Sequence, residues 1–389
     1  MDFHHSYYYK LNEFLLSVIG QWPLQKQPTA VIRRIIVSLF CLYSVLVQCA
    51  TLYQNRSDLI NIVRIIPVLS ITLAIFSFLV MFELNLDKNK QIFKFMRDDW
   101  LLERGVKETK IKESYAEWSF NFTKYMTAFC VIAYIAFVLS SIFYSEILDI
   151  ILPLNETRQK QTPFDDEYFI DKQKYFYTVL LYICIIAAII GLICIANQAM
   201  FIVHVAHAYG MFDEIGYRLQ RTIPRNTCQM NNKERYKDEV YRRNITLCLL
   251  RYQKAVEFAD ILNAYYAPIF GMSSLLTVAM LSPPLAQISD ITALPIQAAA
   301  EVTGILSYML IGSFLGQKLI DLSSKISDNI YFSQWYTCSP QIQKLLPIFI
   351  MRSAKPCTIN AFNVYFLSCQ NLRRVFQTVL SYCAVIRSI

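Results

Sequence analysis

The chain has 389 residues, of which 55% are hydrophobic, 14% are aromatic and only 17% are charged. This composition excludes an ordinary soluble globular protein, because one core cannot bury so much apolar surface, and it indicates a membrane protein. The net charge of +8 does not indicate nucleic-acid binding, since the lysines and arginines lie in blocks between apolar segments. The first residues lack the apolar run and cleavage site of a signal peptide, so we expect the amino terminus in the cytoplasm.

Seven segments are long and apolar enough to be membrane spans. A helix needs about 20 mainly apolar residues to cross a bilayer. The predicted spans lie at approximately 34–53, 61–83, 124–145, 175–205, 258–284, 294–316 and 360–389. We expect a single seven-helix unit over residues 1–389, with the segment 317–359 in the cytoplasm.

The distribution of basic residues predicts the orientation of these spans. Most lysines and arginines lie in the segments that are cytoplasmic if the amino terminus is inside. By the positive-inside rule, seven spans then place the carboxyl terminus outside. That orientation is opposite to that of a G-protein-coupled receptor, and the DRY and NPxxY motifs of that class are absent. The predicted outer loops contain no cysteine, so they cannot form the extracellular disulfide of those receptors.

The predicted cytoplasmic connections are not simple loops. Residues 86–120 and 216–262 carry apolar side chains at helical spacing among mixed charges. We therefore expect spans 2 to 5 to continue as helices below the membrane and to form a helical layer there. In the sixth span, Gly312 and Gly316 lie on one helical face, a pattern that lets another backbone approach closely. Packing is the expected role of this glycine pair.

Several charged residues lie within or beside the spans. Glu301 is an intramembrane carboxylate, for which a functional role and a place at the membrane interface both stay open. If the last helix begins near Asn360, Arg373 and Arg374 lie about 20 Å along it. We would then expect them to face a polar cavity, a partner or the inner vestibule of a pore. The acidic loop before the fourth span could concentrate cations or could simply be solvated.

Other candidate sites are weaker. His204 and His207 lie on one helical face, but no third ligand is near them, so we predict no metal site. Asn155 begins a glycosylation sequon in the second outer loop. The sequence contains no HExxH, GxSxG or P-loop motif, and we predict neither an enzyme nor a cofactor.

Three stretches follow the pattern of one known family. Near the amino terminus, a leucine-containing run precedes Gly20, Trp22 and Pro23. Toward the other end, GQKLIDLSSKISDNIYFSQWY supplies the family's Gly, Ser, Tyr and Trp-Tyr positions, which are here Gly316, Ser324, Tyr331, Trp335 and Tyr336. A Lys-Pro pair precedes the last helix, and Ser381-Tyr382 lies near its end. Through these residues the chain resembles the insect odorant receptors, and specifically the hymenopteran-type tuning receptors.

The resemblance implies a fold and a function. It implies seven spans with a cytoplasmic amino terminus, four subunits around one pore lined by the last helix, and an odorant-gated nonselective cation channel. Such subunits assemble with a shared co-receptor, whose extra insertion between spans 4 and 5 is missing here. The chain therefore resembles an odorant-specific subunit in the plasma membrane of an olfactory sensory neuron. We expect Tyr331, Trp335 and Tyr336 to belong to the cytoplasmic layer that anchors the subunits to one another.

Two alternatives stay open beside this interpretation. A gustatory receptor-type channel belongs to the same superfamily, although its terminal Thr-Tyr and Gln-Phe signature is not met here. A secondary transporter would need an internal repeat or paired broken helices, and the sequence shows neither.

The resemblance also implies a pore gate near the carboxyl terminus. In the family, apolar side chains three and seven residues after the terminal tyrosine form the gate, and these correspond to Val385 and Ile389, counted from Tyr382. A ring of such side chains closes a pore by dewetting. Two departures are present, since Ser381 replaces the usual threonine and Arg387 replaces an apolar residue. We expect Arg387 to point to lipid headgroups or to a neighbouring subunit.

A ligand pocket is implied in the outer halves of spans 2, 3, 4 and 6. By helix position, its expected residues are Val68, Leu69, Thr72, Phe137, Ser140, Ser141, Tyr144, Tyr177, Leu181, Cys184, Gln297, Ala300 and Glu301. With so few charges, this pocket would favour volatile or lipid-like molecules held by dispersion and burial.

Overall fold

The computed structural model describes residues 7–143, 174–222, 234–288, 296–333, 335–337, 340–361 and 365–388. These residues are almost entirely helical, as predicted for an all-α membrane protein. The helices are α1 (Lys10–Val18), α2 (Gln27–Gln54), α3 (Leu59–Leu84), α4 (Leu86–Trp100), α5 (Val106–Ile142), α6 (Phe176–Thr222), α7 (Glu234–Ile288), α8 (Ile296–Tyr331), α9 (Pro340–Ser353) and α10 (Cys369–Ser388). Two short strands, β1 (Asn360–Ala361) and β2 (Tyr365–Phe366), pair antiparallel before α10.

Six of the described helices are long and apolar enough to cross a membrane, namely α2, α3, α5, α6, α7 and α8. The last four of them run for 37, 47, 55 and 36 residues, whereas about 20 residues suffice to cross a bilayer. Spans 3, 4 and 5 therefore continue as helices beyond the length of a bilayer crossing, as predicted, whereas span 2 ends at Leu84 and a separate helix, α4, follows it. The chain is a multi-pass membrane protein.

The most continuous core lies in the inner part of α6. From Gln198 to Phe212 every residue is buried, because α1, α5, α7 and α8 pack around this part of the helix. Nearer the opposite end of the spans, large apolar side chains such as Ile132 and Leu181 are exposed on the helix surfaces. The lipid solvates such side chains, whereas the inner layer must be close-packed to bury its own.

A tight turn joins α1 to α2 at the Gly-x-Trp-Pro motif. Gly20 has a φ of +76°, a backbone conformation that a side chain would strain. The Arg34 guanidinium donates to the Gly20 carbonyl at 2.9 Å, and the Trp22 ring lies edge-on to Phe93 of α4 at 5.0 Å. The motif therefore fixes the amino-terminal helix against α2 and α4.

The last helix begins later than predicted. It begins at Cys369 and not near Asn360, because the preceding residues form the β1–β2 pair. Next to this strand pair, the Leu367 N–H donates a hydrogen bond to the Ile359 carbonyl at 3.0 Å. Both of those side chains are buried, so packing holds the segment out of the helix.

This later beginning corrects the expected depth of the two arginines. Arg373 and Arg374 lie in the first two turns of α10 and are exposed, so they are not about 20 Å along the helix. The helix is also amphipathic. Its apolar stripe, which includes Leu372, Val375 and Val379, packs against α7 and α8, while its other face is exposed and largely polar. For this reason α10 is not among the six helices that hydropathy alone identifies.

Candidate ligand-binding site

A large cavity lies among the outer and middle parts of the helix bundle. It has a volume of about 850 Å³ and is walled by α3, α5, α6, α7 and α8. Tyr365 and Leu367, which precede α10, line it as well, and so does Val375 within α10. Sites for small molecules in proteins commonly have volumes of about 300 to 1,000 Å³. The cavity is therefore large enough for a small organic ligand.

Aromatic side chains form one wall. The Tyr308 ring of α8 lies 6.2 Å from the Phe78 ring of α3, with an angle of 27° between the planes. On α7, the Phe270 ring lies 6.2 Å from Tyr308 at 33°. Near-parallel rings offer a flat apolar surface, which suits a planar or hydrocarbon ligand.

Small residues create the open space. Ala187, Ala188 and Gly191 on α6 and Gly304 on α8 all line the cavity. A Cβ atom added at either glycine would have no neighbour within 4 Å. The cavity therefore exists where side chains that would fill a helix interface are missing. This run of small residues is the signal in the sequence that could have located it.

Most hydroxyl groups of the wall are already engaged. The side chains of Ser273, Ser274, Thr277, Thr303 and Ser307 donate to carbonyls of their own helices at 2.7–3.0 Å. The Tyr134 hydroxyl donates to the Cys184 carbonyl at 3.0 Å. A hydroxyl that bonds back to its own helix presents mainly its apolar side to a ligand.

The structure brings two of the residues expected for the pocket into this cavity. Ala300 and Glu301, in the first turns of α8, line it. The Gln297 side chain and Tyr144 lie outside the described residues, as does the sequon at Asn155. The cavity is otherwise deeper than the expected pocket.

Except for Thr72, which is at the level of the wall, the remaining expected residues lie nearer the outer ends of α3, α5 and α6 than the cavity wall does. The cavity is lined instead by Ile71, Ala74, Ile75 and Phe78, by residues between Met126 and Tyr134, and by residues between Ala187 and Gln198. Val68, Leu69, Thr72, Phe137, Ser140, Ser141, Tyr177, Leu181 and Cys184 are not among its lining residues.

The contacts of Thr72, Ser141 and Tyr177 show why these side chains do not line the cavity. Thr72 is buried against α2 and accepts a hydrogen bond from Gln48 at 3.1 Å. Ser141 bonds back to the Phe137 carbonyl at 2.7 Å. Tyr177 is 68% exposed on the bundle surface. Position along a helix therefore did not predict which way each side chain faces.

The residues expected for the gate and the anchor are on the surface. Val385 and Tyr382 are each 55% exposed on α10, and the Ser381 hydroxyl donates to the Gln377 carbonyl at 3.0 Å. Ile389 lies outside the described residues. Tyr331, the last residue of α8, is 64% exposed and Tyr336 is 63% exposed, while Trp335 packs against the main core.

Two buried histidines have structural contacts. His204 shares a hydrogen bond of 2.9 Å with the Tyr266 hydroxyl. His207 lies 3.1 Å from the Asp99 carboxylate. No group of three side chains that could hold a metal ion occurs among the described residues.

A buried ionic cluster in the inner layer was not predicted. Arg104 pairs with Asp99 at 2.6 Å and with Glu214 at 2.9 Å. Glu214 is also in close contact with Arg251, and Asp99 with Lys112. The cluster joins α4, α5, α6 and α7, whose charged residues are far apart in the sequence.

Burial and the neighbouring carboxylate have opposite effects on the pKa of Lys112, the lysine of this cluster. Lys112 lies before the predicted third span and is 3% exposed. Burial lowers the pKa of Lys112 to about 7, although the charge of Glu214 acts in the opposite direction. The lysine is therefore much easier to deprotonate than one in water.

A second cationic contact links α8 to α5 and α6. The Lys318 ammonium lies 5.1 Å from the Tyr115 ring centroid, 4.7 Å from that of Trp118 and 4.9 Å from that of Tyr209. Three rings within about 6 Å of one cation form an aromatic cage. This contact lies on the same helix as the cavity wall, on the inner side of it.

Comparisons with known proteins agree on the type of molecule. A family model described as "7tm Odorant receptor" matches residues 61–380. The structure of the insect olfactory receptor OR5 from Machilis hrabei in complex with eugenol has a TM-score of 0.73 at 13% identity, and the match covers 97% of this chain and 96% of that one. A second structure of that receptor has a TM-score of 0.70, with the same identity and coverage. No curated protein sequence matches this chain.

Proposed function

The chain belongs to the 7tm odorant receptor family, and from this premise we propose that it is the odorant-specific subunit of a ligand-gated, nonselective cation channel. In this proposal it assembles with a co-receptor in the plasma membrane of an olfactory sensory neuron. Odorant binds in the 850 Å³ cavity, and the pore is lined by α10.

The observation that carries the proposal is the contact between the cavity and α10. Val375 is both a cavity wall and part of the stripe that packs α10 against α7 and α8. A ligand in the cavity therefore acts on a helix whose other face is polar and exposed. A ligand can shift a closed-to-open equilibrium only by binding the open state more tightly. Because Val375 of α10 is part of the cavity wall, a movement of α10 changes the contacts of a bound ligand.

The lining supports a small, uncharged ligand of low polarity. Its aromatic wall and engaged hydroxyls favour binding by burial of apolar surface, which contributes roughly 25 cal/mol for each Å². Eugenol, which binds the Machilis hrabei receptor, is a reasonable first probe. We propose this cavity as the site, with Ala300 and Glu301 at its outer end.

In the proposed pore, the exposed face of α10 meets the same face of the other subunits. Val385 and Ile389 form the closed ring near the outer end, and Ser381 and Tyr382 lie one turn below. The exposed arginines at the beginning of α10 are then near the cytoplasmic mouth, where charged side chains remain hydrated.

Assembly is proposed to occur in the cytoplasmic layer. Tyr331 and Tyr336 have large exposed rings at and just after the end of α8, and Trp335 packs their segment against the core. Exposed aromatic side chains of this kind are enriched at protein interfaces. We propose that they contact the neighbouring subunits, including the co-receptor.

A cavity-filling variant tests the function. Cells that express this chain with a co-receptor are recorded during application of eugenol and a broad panel of volatiles. Gly304→Leu places a side chain in the open part of the cavity, and we expect the active volatiles to need at least about tenfold higher concentrations. Ala136→Leu is the matched control, because it adds the same bulk on an exposed part of α5 that does not line the cavity.

The proposal fails if no volatile evokes current although surface delivery is confirmed. The assignment of the cavity fails if Gly304→Leu and Ala136→Leu respond alike.

A further inference from the structure

Gln198 differs from the other polar residues of the cavity wall. It lies on α6 at the inner end of the cavity and is 4% exposed. Its amide nitrogen has no hydrogen-bond partner among the described residues. Nothing in a mainly apolar wall explains why an amide should be placed there.

The neighbouring residue on α6, Asn197, has an amide nitrogen with hydrogen-bond partners. The Asn197 amide donates to the Ile193 carbonyl at 2.9 Å and to the Gln21 side chain at 3.3 Å. Asn197 therefore ties α6 to the amino-terminal segment, whereas Gln198 lines the cavity. The two adjacent residues have opposite roles because successive side chains on a helix point in different directions.

Five serine and threonine hydroxyls of the wall do not compete with Gln198 as donors to a ligand. Those of Ser273, Ser274, Thr277, Thr303 and Ser307 donate to their own helices. A buried donor without a partner has lost its hydrogen bonds to water and gained none in return, which is unfavourable. A ligand that brings an acceptor to the inner end of the cavity removes this cost, and a pure hydrocarbon does not.

We propose that Gln198 is the specificity-determining residue of the cavity and selects volatiles that carry a hydrogen-bond acceptor, such as a carbonyl oxygen, on an apolar body. The inference rests on the proposed function, because it assumes that this cavity binds the odorant. The acceptor lies at the inner end against Gln198, and the apolar body lies against the wall formed by Phe78 and Tyr308. The selected class is therefore small ketones, aldehydes and esters.

Matched probe pairs test this inference. Acetophenone is compared with ethylbenzene, and cyclohexanone with methylcyclohexane, because each pair has a similar shape and differs in the acceptor. Affinity is measured as the concentration dependence of thermal stabilisation of the purified receptor, and the same probes are applied in current recordings. We expect the wild type to bind each ketone about tenfold more tightly than its hydrocarbon partner.

Gln198→Met keeps the length of the side chain and removes the amide. We expect it to weaken ketone binding about tenfold and to leave hydrocarbon binding unchanged. Gln220→Met is the matched control, because Gln220 is exposed in the last turns of α6, far from the cavity lining. It should change neither affinity.

The outcomes separate this inference from the proposed function. If Gly304→Leu abolishes binding of both members of a pair while Gln198→Met preserves the ketone preference, the cavity is the site but Gln198 does not select the ligand. An equal loss of both members in Gln198→Met also overturns the inference, since that pattern indicates damage to the cavity. If binding occurs but Gly304→Leu leaves it unchanged, the proposed site itself is wrong.

Discussion

Gly316 lies so close to Leu367 that a methyl group on the glycine would overlap the leucine's backbone carbonyl. Gly312, one turn earlier, would place its methyl 3.3 Å from the Leu367 side chain. The expectation that this glycine pair allows a close backbone approach is therefore confirmed. Leu367 also lines the cavity and precedes α10 by two residues, so this contact joins α8, the cavity and the beginning of the last helix.

Gly316→Ala should displace Leu367 and with it the beginning of α10. Overpacking at a close contact costs about 1–3 kcal/mol, so we expect a lower unfolding temperature and a smaller ligand-evoked current. Gly304→Ala is the control for the unfolding temperature, because its added methyl group enters open space. Equal behaviour of the two variants would show that the contact at Leu367 is not tight.

Glu214→Gln should strongly destabilise the inner layer. Glu214 is 2% exposed and contacts Arg104, Arg218 and Arg251. Removal of one partner from a buried ionic cluster leaves uncompensated charge and costs about 3–5 kcal/mol. Thermal unfolding of the purified receptor measures the effect. Asp87→Asn, at an exposed ion pair, should leave the unfolding temperature unchanged, and a small effect at Glu214 would contradict this account.

Stability should depend on pH through Lys112. Burial lowers its pKa from 10.5 to about 7 in the folded protein, so above pH 7 the unfolded chain binds a proton that the folded protein does not. Stability should therefore rise as the pH increases from about 7 toward 10. Lys112→Met removes this group, and its unfolding temperature should rise less over the same range. Lys110→Met, an exposed neighbour, should retain the wild-type slope.

Lys318→Met should weaken the attachment of α8 to α5 and α6. Loss of the cation from its aromatic cage is expected to lower the free energy of unfolding by about 0.5–2 kcal/mol. Lys318→Arg should retain most of the stability, because a guanidinium also stacks on aromatic rings. Lys325→Met serves as a control on an exposed part of the same helix. If the arginine and methionine variants unfold at the same temperature, the cage is not stabilising.

Val385→Ser should produce a current in the absence of ligand. A small polar side chain wets the closed ring and lowers the barrier to cations. The sequence predicts the same effect for Ile389→Ser. Leu380→Ser is the control, because Leu380 is also exposed on α10 but lies about 140° from Val385 around the helix. Unchanged basal current in both gate variants would place the gate elsewhere.

The helices were more predictable than the site. Long apolar runs identified the six spans that the structure describes, and mixed charges at helical spacing indicated their continuation below the membrane. The beginning of α10 was missed, because Asn360–Ala361 and Tyr365–Phe366 were read as part of the last helix but form the β1–β2 pair instead. Most of the residues expected for the pocket do not line the cavity, because position along a helix gives depth but not the direction of each side chain.

The sequence by itself determined that the chain crosses a membrane and which family it resembles, because hydropathy and motifs are properties of local segments. Only the tertiary structure decided where space remains between the helices and which polar groups lack partners. Gln198 and Asn197 are adjacent in the sequence, yet one lines the cavity and the other holds the amino-terminal segment. Likewise, Glu214 meets Arg104, which precedes α5, and Arg251 of α7 only after the helices pack.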